Sequence, residues 1–435
     1  AKIQTLASQT GITSEKVLKE YLKSDDAHKN RLAMSWIGLQ LDNIEHFLGT
    51  YRKFFTNKKL RILMNSEDKS YEIKANQLKD FTSLLVSRGT EKNLLKSFER
   101  IEDFRGDLSV PAHLILSRTI SMQIKDKVLK DTRKELKKNY GKDRWYKTGR
   151  FLLHHASGLF GNSAGAIKFR RGYLDKNQQL NSEILSELKP LDMITEKTPF
   201  ILTDKFIPGN FGHNAIWLGT KEQLIDMGMW DHPSIKKLQP MIEIGYSIIE
   251  TDRSGTHMKN IEKFMNVDDF AIMRLEGVTE NREYFEEVYK VAIAQLGKTY
   301  DFNFDVETTD KLVCSELLYQ SFGDVAWPTE KYLGRVTISP DNVASLILYA
   351  NTPMDLQYYI KGQKDRSVLY KTEDDLANDL GFVKDEERST LDEPFYKQPF
   401  KKCVDMLREG KKRKVCYTDY RSFEYKSPSF LLGIQ

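Results

Sequence analysis

The 435-residue sequence predicts an α+β protein in which a helical N-terminal part precedes a domain of short strands and helices. Three observations predict it. Over the first 180 or so residues, segments such as AMSWIGLQLDNIEHFLGTYRKFF, NQLKDFTSLLVSR and DKVLKDTRKELKKNY space their apolar residues three and four apart, the period of a buried helix face. Further on, residues 211–219 and 246–251 form short apolar runs marked off by glycines, the pattern of strands. Residues 310–319, DKLVCSELLY, then open an amphipathic helix with a lone cysteine at its start.

Taken in order, the elements begin with an α-helical bundle over 1–180, with Ser14 and Ser24, each followed by charged residues, as helix starts or stops. The stretch 158–172, GLFGNSAGAIKFRRG, is rich in small residues and connects this part to the next or packs closely as a glycine segment. In FGHNAIWLG the two-residue period of a strand puts His213, Ala215 and Trp217 on one face and Asn214, Ile216 and Leu218 on the other. Residues 220–245 interrupt the strands with a Met- and Trp-rich insertion, LIDMGMWDHP, read as core packing or as a substrate wall. Past residue 350 the chain is a mixed, charged extension over 351–435, in which TEDDLANDL is helix-like and KRKVCYTDYRSFEY strand-like.

Cys314 is the residue that carries chemistry. Unpaired N–H groups and the positive end of the macrodipole at a helix start stabilise a thiolate, lowering a thiol pKa that is about 8.5 in a model peptide. The competing reading is a small buried hydrophobe among Leu312, Val313, Leu317 and Leu318. A nucleophilic thiol needs a base, a group to orient that base and donors for an oxyanion. His213, at the first position of a strand, can point into a cleft while the strand stays packed. Glu250 ends the run YSIIET and is the candidate orienter, although strand ends are usually solvated.

The order of GHNAIWLG, SIIETDRSG and LVCSELLYQSF resembles the permuted, papain-like cysteine hydrolases of the NlpC superfamily, in the YiiX-like and YaeF-like branch, where the cysteine comes last. LKPLDMI at 188–194, GKTYDFNF at 297–304 and RVTISPDNVA at 335–344 extend the likeness over about 185–346. The resemblance implies a circularly permuted papain-like domain over 181–350, its antiparallel sheet packed on the helix that carries the cysteine. It implies Cys314 as nucleophile, His213 as general base and later acid, Glu250 as orienter, and Tyr300 beside the cleft as an oxyanion donor. The 220–245 insertion departs from the compact pattern and brings Asp226 as the rival orienter.

That chemistry is attack by the thiolate on an amide, ester or thioester carbonyl, an acyl-enzyme, and its release to water. The expected substrate is a cell-envelope peptide or an N-acyl amide. The alternatives are acyl transfer or ester cleavage of the lecithin retinol acyltransferase kind, and a noncatalytic peptide- or lipid-binding module. Retention of cysteine, histidine and carboxylate together argues against the last.

No cofactor or metal is expected. His154 and His155 are adjacent and would face apart on a helix, no H-E-x-x-H or C-x-x-C occurs, and no glycine-rich phosphate loop of Walker or dinucleotide type is present. Net charge is +5, with lysines concentrated at 125–147 and 401–414. Such runs suit an anionic envelope surface or a solvated helix face; no nucleic-acid motif accompanies them, so no nucleic-acid partner is expected. No apolar run approaches the ~18 residues of a membrane span. Of three cysteines, pairing Cys403 with Cys416 would leave Cys314 free, which fits an oxidising periplasm or envelope; unpaired thiols in the cytoplasm are the alternative. The first residue is Ala1, so a leader removed upstream is compatible with the sequence.

Overall fold

The structure, a computed structural model, describes residues 169–200, 209–301, 311–332, 335–390, 393–408 and 411–427, and shorter stretches of the first 144 residues, chiefly 55–68, 73–92 and 128–144. The chain divides into two compact units, 1–151 and 152–435.

In the first unit the described residues are mostly helical. Helix α1 is Lys58–Met64 and α2 is Gln77–Leu85, and residues 128–144 are helical throughout. Leu129, Thr132, Leu136 and Asp143 are its buried stripe, spaced by three, four and seven as a helix face requires. Arg61 reaches from α1 to Asp143 as a buried, two-pronged pair, Nη2 to Oδ1 2.8 Å, so two charges are taken from water only with their hydrogen bonds made. Ser24 lies between two helical stretches, and Asp26 caps the second by accepting from the His28 N–H at 2.8 Å. The helix start read at Ser14, most of the run 33–55, the residues 158–168 and the pair His154 and His155 lie outside the described residues.

The second unit is built on one seven-stranded antiparallel sheet of order β11-β10-β5-β1-β2-β3-β4. Its strands are β1 Met193–Lys197, β2 His213–Trp217, β3 Tyr246–Asp252, β4 Gly255–Asn260, β5 Asp269–Leu275, β10 Met354–Gly362 and β11 Val368–Tyr370. Helix α3, Gln178–Glu187, and α7, Ile261–Phe264, cover one face, where Ile184, Ile194, Ala215, Trp217, Ile248, Phe264 and Ile272 form a core. The other face carries Met193, Ile216, Ile249, Ala271 and Met273, packed by α8, Arg282–Ala294, α9, Cys314–Ser321, and α10, Pro340–Ser345. Burial on both faces explains why DFAIMRL of β5 is apolar almost throughout rather than alternating.

Past residue 350 the chain adds β10 and β11 to this sheet. β10 pairs along β5 from Met354↔Leu275 to Lys361↔Asp269, and Met354, Tyr359, Leu376, Phe382 and Tyr396 enter the core that holds Leu317 and Leu318. The expected boundary at residue 350 therefore falls inside a single core. A sheet interior admits a late strand as readily as an early one, and the alternation in MDLQYYIKG is too weak to announce it. TEDDLANDL supplies α11, Glu373–Asp379, and the strand-like tail supplies β14, Lys411–Ser422, paired with β13, Tyr396–Arg408, and joined to it by a Cys403–Cys416 disulfide. Strand β12, Val383–Lys384, joins β13, while short pairs form between β6, Thr299–Tyr300, and β7, Lys311–Leu312, and between β8, Glu330–Tyr332, and β9, Arg335–Thr337.

The 220–245 insertion forms three short helices, α4 Lys221–Asp226, α5 Pro233–Lys236 and α6 Gln239–Glu243. Leu224, Met229, Ile235 and Ile242 are buried in the core, with Met227 and Trp230 packed against it. It is core packing, at the end of β2 away from His213.

Candidate active site

His213 is fixed by the way the chain enters β2. The backbone N–H groups of Asn210 and Phe211 each donate to the Asp341 carboxylate at 2.8 Å, and the Gly212 N–H donates to the Glu196 carbonyl at 2.9 Å. The imidazole therefore starts from a pinned backbone. Its Nε2 lies 2.9 Å from Oε2 of Glu250 on the neighbouring strand, where Glu250 stands opposite Ala215. That leaves Nδ1 for another partner.

Beside the imidazole stands Cys314, near enough that thiol and ring shift each other's titration; its Sγ lies 3.9 Å from the Ser315 hydroxyl, and the Asn214 backbone N–H favours its thiolate. Helix α9 begins at Cys314 because Val313 is extended and its N–H is taken by the Glu316 carboxylate at 3.0 Å, half of a capping box. Ser315 ties the helix start to β2 by accepting from Asn214 Nδ2 at 2.9 Å, and Leu317 and Leu318 bury in the core behind it. Cys314 is 6% exposed, so the sulfur is held among polar groups with little water around it.

The charges follow this geometry. Burial pulls the His213 imidazole toward neutrality, but its hydrogen bonds and charge interactions with Cys314 and Glu250 outweigh that and hold its pKa well above the usual histidine value. Burial raises the Cys314 thiol, yet the bond and charge of His213, with the Asn214 N–H and Ser315, bring it below the ordinary cysteine value. The two shifts together favour a thiolate–imidazolium pair.

Glu250 is 1% exposed, where a strand-end carboxylate was expected to be solvated. Strand β4 covers it. His257 stands directly opposite Glu250, with Nε2 3.1 Å from Oε1, and Lys259, two residues on and so on the same face, brings its ammonium to 2.6 Å from Oε1. Burial pushes the carboxyl up, but His213, His257 and Lys259 hold it well below the usual carboxylate range. His257 is itself raised, chiefly by its bond to Glu250. Neither His257 nor Lys259 was singled out from sequence; the signal lay in extending the Glu250 strand through the turn at Gly255 and counting pairs across it.

Tyr300 pairs with Leu312, two residues before Cys314, because β6 and β7 run in parallel. Burial first, then the neighbouring Cys314 and Glu316 charges, raise its phenol well above the ordinary tyrosine value, so it stays protonated. Asp226 is exposed at the end of α4, past the far end of β2. The structure brings Glu250, and not Asp226, to His213.

Among the described residues, Glu250, Asp252 and His257 offer ligand atoms within 4.8 Å of one another. The Lys259 ammonium already sits 2.6 Å from Oε1 of Glu250, which sets like charge against a cation there. No helix among the described residues is long and apolar enough to cross a membrane.

Comparison with curated proteins and with solved structures finds no match. Comparison with protein families matches residues 187–404, which hold the sheet, the histidine, the buried glutamate and the cysteine helix. The match spans half of the chain and ends within β13. On it, the chain belongs to the permuted papain-like amidase enzymes of the YaeF/YiiX, C92 family.

Proposed function

We propose that this protein is a cysteine hydrolase that cleaves amide bonds through a thiol acyl-enzyme on Cys314. The observation that carries the reading is the relay from Glu250 through His213 to Cys314, with the imidazole shifted up and the thiol shifted down. In the resting site the proton of the sulfur already resides on His213, and Glu250 holds the ring so that Nδ1 faces the sulfur. The thiolate attacks the carbonyl carbon, and the resulting oxyanion is met by the free N–H at the start of α9 and by the Tyr300 hydroxyl. His213 then gives its proton to the leaving amine, and the acyl-enzyme forms. Water attacks next, His213 takes its proton, and the acid is released as the thiolate leaves.

The substrate we assign is a peptide or N-acyl amide of the cell envelope. An amidase family supports the amide, and the Cys403–Cys416 disulfide supports an oxidising compartment. The test is covalent labelling by a thiol-reactive acyl probe at neutral pH. Cys314→Ala and His213→Ala should each abolish it, and undiminished labelling of either variant would remove the assignment.

A further inference from the structure

Among the described residues the C-terminal ribbon supplies nothing to the site, and its charge and exposure ask for a partner. β13 meets β12 only at Tyr396 and Lys397; beyond that, among the described residues, its twelve registered pairs from Lys397↔Ser422 to Arg408↔Lys411 are with β14 alone. A lone two-stranded ribbon is marginal in water, and here the strands are cross-linked at the directly opposed Cys403 and Cys416. Residues 396–422 contain nine Lys and Arg against three Asp and Glu, a net +6. The whole chain is +5, so the other residues together come to about −1 and the ribbon holds the positive charge of the molecule. Five of the nine fall at the far end of the ribbon, at Arg408 and 411–414.

The apolar content is as uneven. Val404 and Val415 face each other across the pair and are 38% and 42% exposed, and Tyr417 and Tyr420 are 46% and 52% exposed. By the strand alternation Val404, Val415 and Tyr417 share one side with Lys402, whose ammonium lies 5.9 Å from the Tyr417 ring. Tyrosines beside valines with a basic end are the composition that settles at a bilayer interface: rings at headgroup level, cations on lipid phosphate.

We propose that the β13–β14 ribbon docks the protein on an anionic phospholipid surface. Each basic residue near such a surface adds attraction that salt weakens, and the cross-link spares the ribbon the entropy of ordering on contact. The proposal is independent of the hydrolase reading, since among the described residues the ribbon strands pair only with each other and with β12.

The test is co-sedimentation of the full chain with phosphatidylcholine vesicles and with vesicles containing phosphatidylglycerol, at low and high salt. The expected result is binding to the anionic vesicles, at least tenfold stronger than to the neutral ones and lost at high salt. Replacing Lys411, Lys412, Arg413 and Lys414 together by Gln should weaken it at least tenfold, with acyl-probe labelling of Cys314 unchanged as the check that the chain is folded. Tyr417→Ser should also weaken binding to the anionic vesicles at low salt. Equal binding to neutral vesicles, full binding by the four-Gln variant, or no binding by the unaltered protein would each overturn it. So would tighter binding of a phosphate polymer or an oligonucleotide than of the vesicles under the same conditions.

Discussion

Glu250 is a buried carboxylate ringed by three nitrogen bases, and most of what can be tested in the site turns on it. Its hydrogen bond keeps the His213 imidazolium from losing its proton, so Glu250→Gln should bring the alkaline limb of the activity profile to lower pH, while turnover falls. Asp226→Asn should leave both nearly unchanged; the reverse pattern in a pH-rate series would move the orienting role to the insertion. The shifts also set how stability follows pH. Glu250 has a lowered folded-state pKa, so its contribution is present above the unfolded carboxyl value and is lost as pH falls through the folded one. His213 and His257 are raised, so theirs are full below the unfolded histidine value and are lost as pH rises through the folded ones. Lys259→Met removes a cation from the buried oxygen of Glu250 and should cost about 2 kcal/mol in denaturant unfolding at neutral pH. An unchanged midpoint would mean that the ammonium is not needed there.

At the level of elements, the site depends on two junctions. The β3–β4 turn carries His257 and Lys259 to Glu250, and it runs through Gly255 at φ +103, where an added Cβ would collide with the Lys298 backbone oxygen. That oxygen accepts the Thr256 N–H at 2.8 Å, just ahead of β6 and Tyr300. Gly255→Ala should therefore destabilise by about 2 kcal/mol and reduce turnover, because it loosens both the Glu250 partners and the Tyr300 strand. Full activity with an unchanged melting temperature would count against that coupling. The α9 junction rests on Leu317 and Leu318, both fully buried. Leu317→Ala should cost about 3 kcal/mol and be seen first as a fall in thermal midpoint.

For the whole molecule, the two compact units and the late strands make opposite predictions for truncation. All the site residues lie within 152–435, so a chain beginning at residue 152 should still label at Cys314. A chain ending at residue 350 should not. It lacks β10, leaving the edge of β5 unpaired and removing Met354, Tyr359, Leu376 and Phe382 from the core, and it should be recovered only as aggregate.

Read as text, the chain was legible wherever chemistry and local pattern coincide. The strand at His213 and the helix opening at Cys314 were there because glycine-bounded runs and a thiol at a helix start are local properties, and the permuted papain-like family was there in the resemblance its motifs carry. The free Cys314 and the paired Cys403 and Cys416 were legible too, as one of the two arrangements weighed from the sequence. What only the tertiary structure decided were pairings between distant segments. Burial of Glu250 required β4 to fold over it and supply His257 and Lys259; preference for Glu250 over Asp226 required knowing which end of β2 each approaches. The membership of β10 in the central sheet likewise rests on hydrogen bonds across some eighty residues of chain, between Met354 and Leu275. Periodicity reports which face of an element is buried, but the register of one strand against another is set by the packing of the whole core.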